Sequence, residues 1–287
     1  MASEFWKKHE NLYFAVTNNK VVFGIILFSL VLLLGIFGPM MTSYEYDAFV
    51  GAGYQPPSSE HFFGTTIMGK DVFTRTVLGL RTTIAVGLLA GTIATVFGCI
   101  IGFIAGYYGG KFIDELLMMM TNITLVFPSL ALLIIISAFL EVRGIFALAF
   151  IVSLTAWPWT ARAVRSQTLS LRNEEYVNLS RISSLNVMRI LKEDIAANMF
   201  SYVFMVYILQ FNGTILAAVG LEFLGLGPTQ GISLGMVMQN AVLWNGIQLG
   251  MWWWGIIPGL IITIMVTSLY FINTGLDEVF NPRLREM

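Results

Sequence analysis

Apolar residues in this chain run uncharged for eighteen or more positions at a time, as they do in segments whose faces meet lipid or protein rather than water. A helix needs about 20 apolar residues to cross the hydrocarbon core of a bilayer. Six uncharged stretches of about that length occur: Val21–Met41, Thr82–Tyr108, Leu116–Leu140, Gly144–Ala161, Ile195–Leu221 and the latter half of Phe223–Leu276. Backbone groups in lipid must be bonded within their own segment, so all six read as helices. The last stretch has no Asp, Glu, Lys or Arg over residues 223–276 and is long enough for two spans. However, Ile232–Gln248 carries Gln239, Asn240, Asn245 and Gln248, and Gly227-Pro228 breaks the chain before it. That part reads as an interfacial or partly buried segment, with the span at about Met251–Phe271; a seventh span is the alternative.

The fold class expected is therefore all-α: a polytopic membrane protein with six transmembrane helices. Lys7, Lys8, Lys20, Lys111, Arg162, Arg165, Arg172, Arg181, Arg189, Lys192, Arg283 and Arg285 fall on one side of this arrangement. Lys70, Arg75, Arg81 and Arg143 fall on the other. The excess of positive charge marks the cytoplasmic side, which places both termini there. The divisions that follow are an N-terminal segment 1–20, a first helix 21–41, an extracytoplasmic segment 42–81, a five-helix core 82–273 with a cytoplasmic loop 162–197, and a tail 274–287. Val21–Met41 is longer than a signal-peptide core and no small-x-small cleavage site follows, so it reads as an anchor.

Composition agrees. Of 287 residues 56% are hydrophobic and 11% charged, too little charge to wet a surface of this size. The net charge of −1 and the lack of a basic stripe set nucleic acid aside. The single cysteine, Cys99, lies in an apolar run and reads as a small core residue. Along the second span Ala90, Ala94, Gly98, Gly102, Gly106 and Gly110 form a ridge at every fourth position, where a neighbouring helix can approach closely.

One motif invites a catalytic reading. Gly64-Thr-Thr-Ile-Met-Gly-Lys70 fits the first seven positions of a phosphate-binding loop, but Asp71 follows where a magnesium-binding hydroxyl belongs, and no strand precedes it. His9 and His61 lie in separate polar segments and suggest no metal cluster. No catalytic residues and no cofactor are expected in this chain.

The segment Arg162–Ala197 mixes both charge signs with apolar positions. Val177, Ile182, Leu185, Met188, Ile190 and Leu191 recur at loosely helical spacing among Glu174, Glu175, Arg181, Arg189 and Lys192. Such helices can dock an apolar stripe into a partner's groove or lie on the bilayer surface. Within the spans, polar residues are costly unless they face a cavity or another helix. Asn122, Gln210, Asn212 and Thr214 are candidates for lining a path, with inter-helix hydrogen bonding the equal alternative for each. Glu222 reads as either near the outer mouth or a solvated helix end.

Ordered landmarks run along nearly the whole chain. They are Gln55-Pro-Pro-Ser58, His61-Phe-Phe-Gly-Thr65, Gly69-Lys-Asp-Val72, Ala105-Gly-Tyr-Tyr-Gly-Gly110 and Phe127-Pro-Ser129. Ala161-Arg162, Val164-Arg165, Leu169-Ser-Leu-Arg172, Glu175-Tyr-Val177, Phe223-Leu-Gly-Leu-Gly227, Pro258-Gly259 and Asn281-Pro-Arg-Leu-Arg285 follow. Together they resemble the C-type permease of the dipeptide and oligopeptide ABC importers.

The resemblance implies a machine of this chain, a second homologous permease, two ABC ATPase subunits that bind the ATP, and an extracytoplasmic solute-binding protein, set in the inner membrane of a prokaryote. It implies that Glu174, Glu175, Tyr176, Val177, Arg181, Ser184, Leu185, Met188 and Arg189 form the coupling contact with an ATPase. In relatives a glycine stands where this chain has Ser184, and a proline where it has Ala197. Serine at a position needing positive φ costs free energy, so a differently shaped turn near Ser184 is expected.

Peptides are the substrate the resemblance implies; short oligosaccharides and nickel are the alternatives. Trp244 and Trp252-Trp253-Trp254 read as an interfacial aromatic belt, with stacking on sugar rings the rival. An ion-coupled transporter would need a charged coupling site within a span, which all six lack. An enzyme would need converging acid, base or metal groups, and a membrane scaffold is set aside on the landmarks alone.

Overall fold

A computed structural model describes residues 10–280 of the chain. Lys7, Lys8, His9, Arg283, Arg285 and the Asn281–Arg285 landmark lie outside the described residues.

Helix α1 (Glu10–Thr17) meets the long apolar α2 (Asn19–Phe37) at Asn18. The Asn18 side chain accepts from the Lys20 and Val21 amides at 2.9 and 3.2 Å, satisfying donors a helix start leaves free. After a 3₁₀ turn (Gly38–Met41) and a coiled segment comes α3 (Val72–Tyr107). Asp71 caps it, accepting from the Thr74 amide at 2.7 Å. Helices α4 (Phe112–Val126), α5 (Ser129–Ala138) and α6 (Ile145–Leu171) follow. Then come α7 (Glu175–Ile182) and α8 (Val187–Arg189), the latter widening into a π-helical stretch Ile190–Ala196. Helix α9 (Phe200–Leu221) ends in a π-helical turn Glu222–Leu226, and α10 (Leu234–Leu243) and α11 (Trp252–Phe280) complete the chain.

Among the described residues five helices are long and apolar enough to cross a bilayer: α2, α3, α6, α9 with its π-helical turn, and α11. The pair α4 and α5 passes the same test only when taken together, and its two halves meet at 81°. The expectation of one helix over Leu116–Leu140 is thereby corrected. Pro128 has no N–H to donate and drives the preceding residue out of the helical region, and Phe127 sits at φ −76°, ψ 133°. Helix α10, at 10 residues, is too short for a seventh span.

Several helices also outrun the uncharged stretches that announced them. Helix α3 begins ten residues before Thr82, taking in Arg75 and Arg81, and α6 continues past Ala161 to Leu171. Lack of charge marks the depth of lipid, whereas helix ends are set by caps and partners.

Contacts sort the loops into two ends of the bundle. The close of α2 meets the start of α3, where Gly38 packs on Val77. Lys20, at the other end of α2, pairs with Glu278 near the close of α11. The close of α3 lies beside Thr168 of α6 and Arg172 just after it, so the 172–199 segment shares an end with Lys20 and Glu278. The 42–71 segment, Arg143 and Thr229 gather at the opposite end, where the Thr229 amide donates to the Arg143 carbonyl at 2.9 Å.

The small-residue ridge of α3 is a helix-packing surface. A Cβ at Gly102 would lie 2.7 Å from Val164 Cβ and 2.8 Å from the Ala161 carbonyl; Gly98 and Gly106 meet Thr160 and Thr168 one turn to either side. Without side chains there, the two backbones approach until dispersion contacts fill the gap. Helix α2 packs on α11 in the same way, through Gly24 against Ser268 and Gly275 against Val21.

Candidate functional site: a docking platform at one end of the bundle

The segment between α6 and α9 is a small folded platform. Val177 is fully buried and shares a cluster with Cys99, Val164, Ile190, Leu191, Ile195 and Met199, while Leu185 and Val187 pack against its edge. Polar ties fix the platform to the bundle. Arg172 donates to the Gly109 carbonyl at 2.9 Å and to those of Tyr107 and Gly106 at 3.3 and 3.4 Å, covering carbonyls at the close of α3. The Arg181 guanidinium lies 5.0 Å over the Tyr107 ring. Arg165 grips Asp114 with two hydrogen bonds of 2.5 and 2.7 Å, and Asp114 also accepts from the Gly110 amide at 2.8 Å.

The outward surface is apolar. Leu179 and Ile182, three positions apart and so on one face of α7, are 64% and 80% exposed, and Met188 of α8 is 69% exposed. Charged residues stand around them: Glu174 and Glu175 at the start of α7, and Arg189, which pairs with Glu193 at 2.8 Å. Partial burial pushes the Tyr176 hydroxyl above its ordinary range, with Glu174 and Asp194 adding to the effect. The nine residues assigned to coupling thus divide. Val177 and Leu185 hold the platform together, Arg181 ties it to Tyr107, and Glu174, Glu175, Tyr176, Ser184, Met188 and Arg189 face outward. Leu179 was not singled out from the sequence; its three-residue spacing from Ile182 was the available signal.

The turn after α7 keeps the shape a glycine would give it, which corrects the expectation at Ser184. Ser184 itself adopts φ +58°. Its amide donates to the Arg181 carbonyl at 3.0 Å and the Leu185 amide to the Ser180 carbonyl at 3.2 Å, the paired bonds of a Schellman close. Ala197, at φ −61° and ψ −42°, continues helically at the position where the resemblance implies a proline.

Of the four residues considered for a path, three make hydrogen bonds across helix interfaces within the bundle. Gln210 donates to the Ala156 carbonyl at 3.1 Å and accepts from Thr160 at 3.1 Å, and Thr214 donates to the Gly87 carbonyl at 2.9 Å. Asn212 donates to the Val266 carbonyl at 3.4 Å. Asn122 is exposed and accepts from Arg162 at 2.8 Å, lining with Met118 and Arg165 a recess of about 370 Å³. Glu222 is fully buried against Gly235 at the start of α10, so it is not a solvated helix end.

The phosphate-loop look-alike is closed to phosphate. The amides of Gly64, Thr65, Thr66, Gly69 and Lys70 are all bonded within residues 55–70, and Lys70 pairs with Asp47. No group of three or more potential metal ligands occurs among the described residues.

An all-helical bundle with five long apolar helices and a bent sixth pair, carrying a charged, apolar-tipped platform at one end, defines a multi-pass membrane protein. The family model of binding-protein-dependent transport system inner membrane components matches residues 98–286, and the chain belongs to that family. It is 31% identical over 274 residues to the oligopeptide transport system permease protein OppC of Bacillus subtilis, covering 94% of this chain and 88% of that one. It is 34% identical over 277 residues to the dipeptide transport system permease protein DppC of Alkalihalophilus pseudofirmus, covering 93% and 87%. Against the DppC of Bacillus subtilis the figures are 30% over 269 residues, 93% and 83%.

Proposed function

We propose that this chain is one of two permease subunits of an ABC importer of short peptides, set in the inner membrane of a prokaryote. The platform docks on an ATPase subunit that binds and hydrolyses the ATP, and the opposite end receives solute from a separate binding protein. The excess of Lys and Arg on the platform's side supports a cytoplasmic location for the platform, where ATP is. The observation that carries this reading is the exposed set Leu179, Ile182 and Met188 on a platform anchored to α3 and α6. A partner that covers these side chains gains hydrophobic free energy, and the ties through Arg172 and Arg181 pass its displacement to the membrane helices. Peptide is favoured as the solute because the relatives named above are oligopeptide and dipeptide permeases.

The test is uptake of a labelled dipeptide by cells carrying or lacking the gene, together with mass spectrometry of proteins that co-purify with the tagged chain in mild detergent. Gene-dependent uptake and recovery of a second permease with ATPase subunits are expected. Recovery of the chain alone, even after cross-linking, would refute the assembly.

A further inference from the structure

At the end of the bundle away from the platform, the 42–71 segment and α10 enclose a cavity of about 340 Å³ lined by Tyr46, Asp47, Lys70, Arg75, Trp244 and Trp254 among others. Its charge is unbalanced. Lys70 and Arg75 share one carboxylate, Asp47, which lies 3.8 Å from Arg75 Nη1, so the lining holds one positive charge in excess.

Arg75 is also underused. It is 5% exposed, yet its guanidinium makes a single hydrogen bond, from Nη1 to the Tyr46 carbonyl at 3.0 Å, and its Nε has no protein acceptor. The indole Nε1 of Trp254, 2% exposed, has none either. A guanidinium is shaped to hold a carboxylate through two parallel bonds, and a carboxylate in the cavity would meet the positive charge that Asp47 leaves unbalanced. Beside these donors stand Met68, Met236 and the ring of Trp244, an apolar wall that would take a small side chain. The volume lies within the range of small-molecule sites.

We propose that this cavity is a binding site for the carboxylate end of a short peptide, with Arg75 and Lys70 holding the carboxylate and Trp244, Met68 and Met236 covering the adjacent residue. The site is separate from the Asn122–Arg162 recess at the platform end, and it gives solute a foothold on the chain before it enters the bundle. The proposal rests on the peptide reading above.

The test is binding of labelled Ala-Ala to the full chain in phosphatidylcholine nanodiscs, by equilibrium dialysis. Ala-Ala is expected to bind, its C-terminal amide at least ten-fold more weakly, and N-acetyl-Ala-Ala about as well as Ala-Ala. Because Arg75 is buried and its replacement can unfold the chain, the charge test falls on its more accessible neighbours. Lys70→Met should weaken binding several-fold, Asp47→Asn should strengthen it, and Asn240→Trp, which fills the cavity, should abolish it. Equal binding of the amide, binding unchanged by Asn240→Trp, or displacement of Ala-Ala by phosphatidylglycerol in the disc would overturn the proposal, the last by assigning the site to a lipid headgroup. Gene-dependent dipeptide uptake without cavity binding would sink the site and leave the transport reading standing. Binding at the cavity without gene-dependent uptake would do the reverse.

Discussion

Replacing Ile182 with glutamine separates a docking surface from a structural one. Ile182 is 80% exposed in the free chain, so the substitution removes little buried area, and glutamine is at least as good a helix former as isoleucine. The chain's own stability should shift by no more than about 0.5 kcal/mol, the usual range for surface changes. In the assembled transporter the same side chain is expected to be covered. Fully burying an isoleucine is worth about 1.5–3 kcal/mol, and each 1.4 kcal/mol is roughly a tenfold change in affinity. Ile182→Gln should therefore weaken ATPase association about ten- to hundred-fold with an unchanged melting curve. Val177→Gln is the counterpart. It puts an amide where no side-chain surface is exposed, leaving polar atoms unpaired in an apolar cluster at a cost of about 1–3 kcal/mol each. It should lower the melting temperature first and lose the ATPase as a consequence. The assay is thermal unfolding of the purified chain beside quantitative co-purification of the ATPase. Ile182→Gln with full ATPase recovery, or melting losses equal to those of Val177→Gln, would refute the assignment of inner and outer faces. Leu185, another apolar residue of the coupling set, is a poor probe, because it packs against the platform's own core.

Three further outcomes are expected. Gly102→Leu forces a side chain into the 2.7 Å gap before Val164, so it should separate α3 from α6 and cost at least the roughly 1–3 kcal/mol of an overpacked core, read as a lower melting temperature. Ser184→Gly relieves a left-handed residue worth about 1–2 kcal/mol of strain, less glycine's greater freedom in the unfolded chain, so it should leave stability unchanged or raise it slightly, whereas Ser184→Val should lower it. The hydrogen bond from Lys70 holds the Asp47 carboxyl below its ordinary range, with the charges of Lys70 and Arg75 assisting. A carboxyl lowered on folding stabilises above its unfolded pKa and loses that contribution as pH falls through the folded value. Acidification below the usual carboxylate range should therefore loosen the 42–71 segment in hydrogen exchange, and Asp47→Asn should remove the pH dependence.

The membrane-spanning pattern was legible because lipid imposes a requirement that composition alone reveals: Val21–Met41 and Ile195–Leu221 carry no charge because none could be solvated there. The bend at Phe127-Pro128 was visible as residues, but its consequence was not, since a proline inside a helix can be carried straight on, as at Pro158 of α6 and Pro258 of α11. Loosely helical spacing announced that the 174–191 segment has an apolar side. It did not say which apolar residues face the platform's own core, because Val177 and Ile182 are equivalent until the packing partners Cys99 and Val164, some 80 and 13 positions earlier in the chain, are brought alongside. The same holds for Gln210 and Thr214, whose partners Ala156 and Gly87 lie on other helices. Arg75 and Asp47 stand 28 positions apart in segments that look merely polar, and only the fold closes them around a shared cavity.

Helix α3 is a single unbroken element of 36 residues, about 54 Å at 1.5 Å per residue, with Asp71 fixed at one tip and Arg172 gripping the carbonyls at the other. No proline interrupts it between the platform and the 42–71 segment. Such an element behaves as a push-rod. Tilting it by about 5° about its platform end swings the far tip by about 5 Å on that length. Communication between the two faces of the membrane then needs no chain of side-chain rearrangements, only leverage, and a small angular displacement at one face becomes a movement the width of a helix turn at the other.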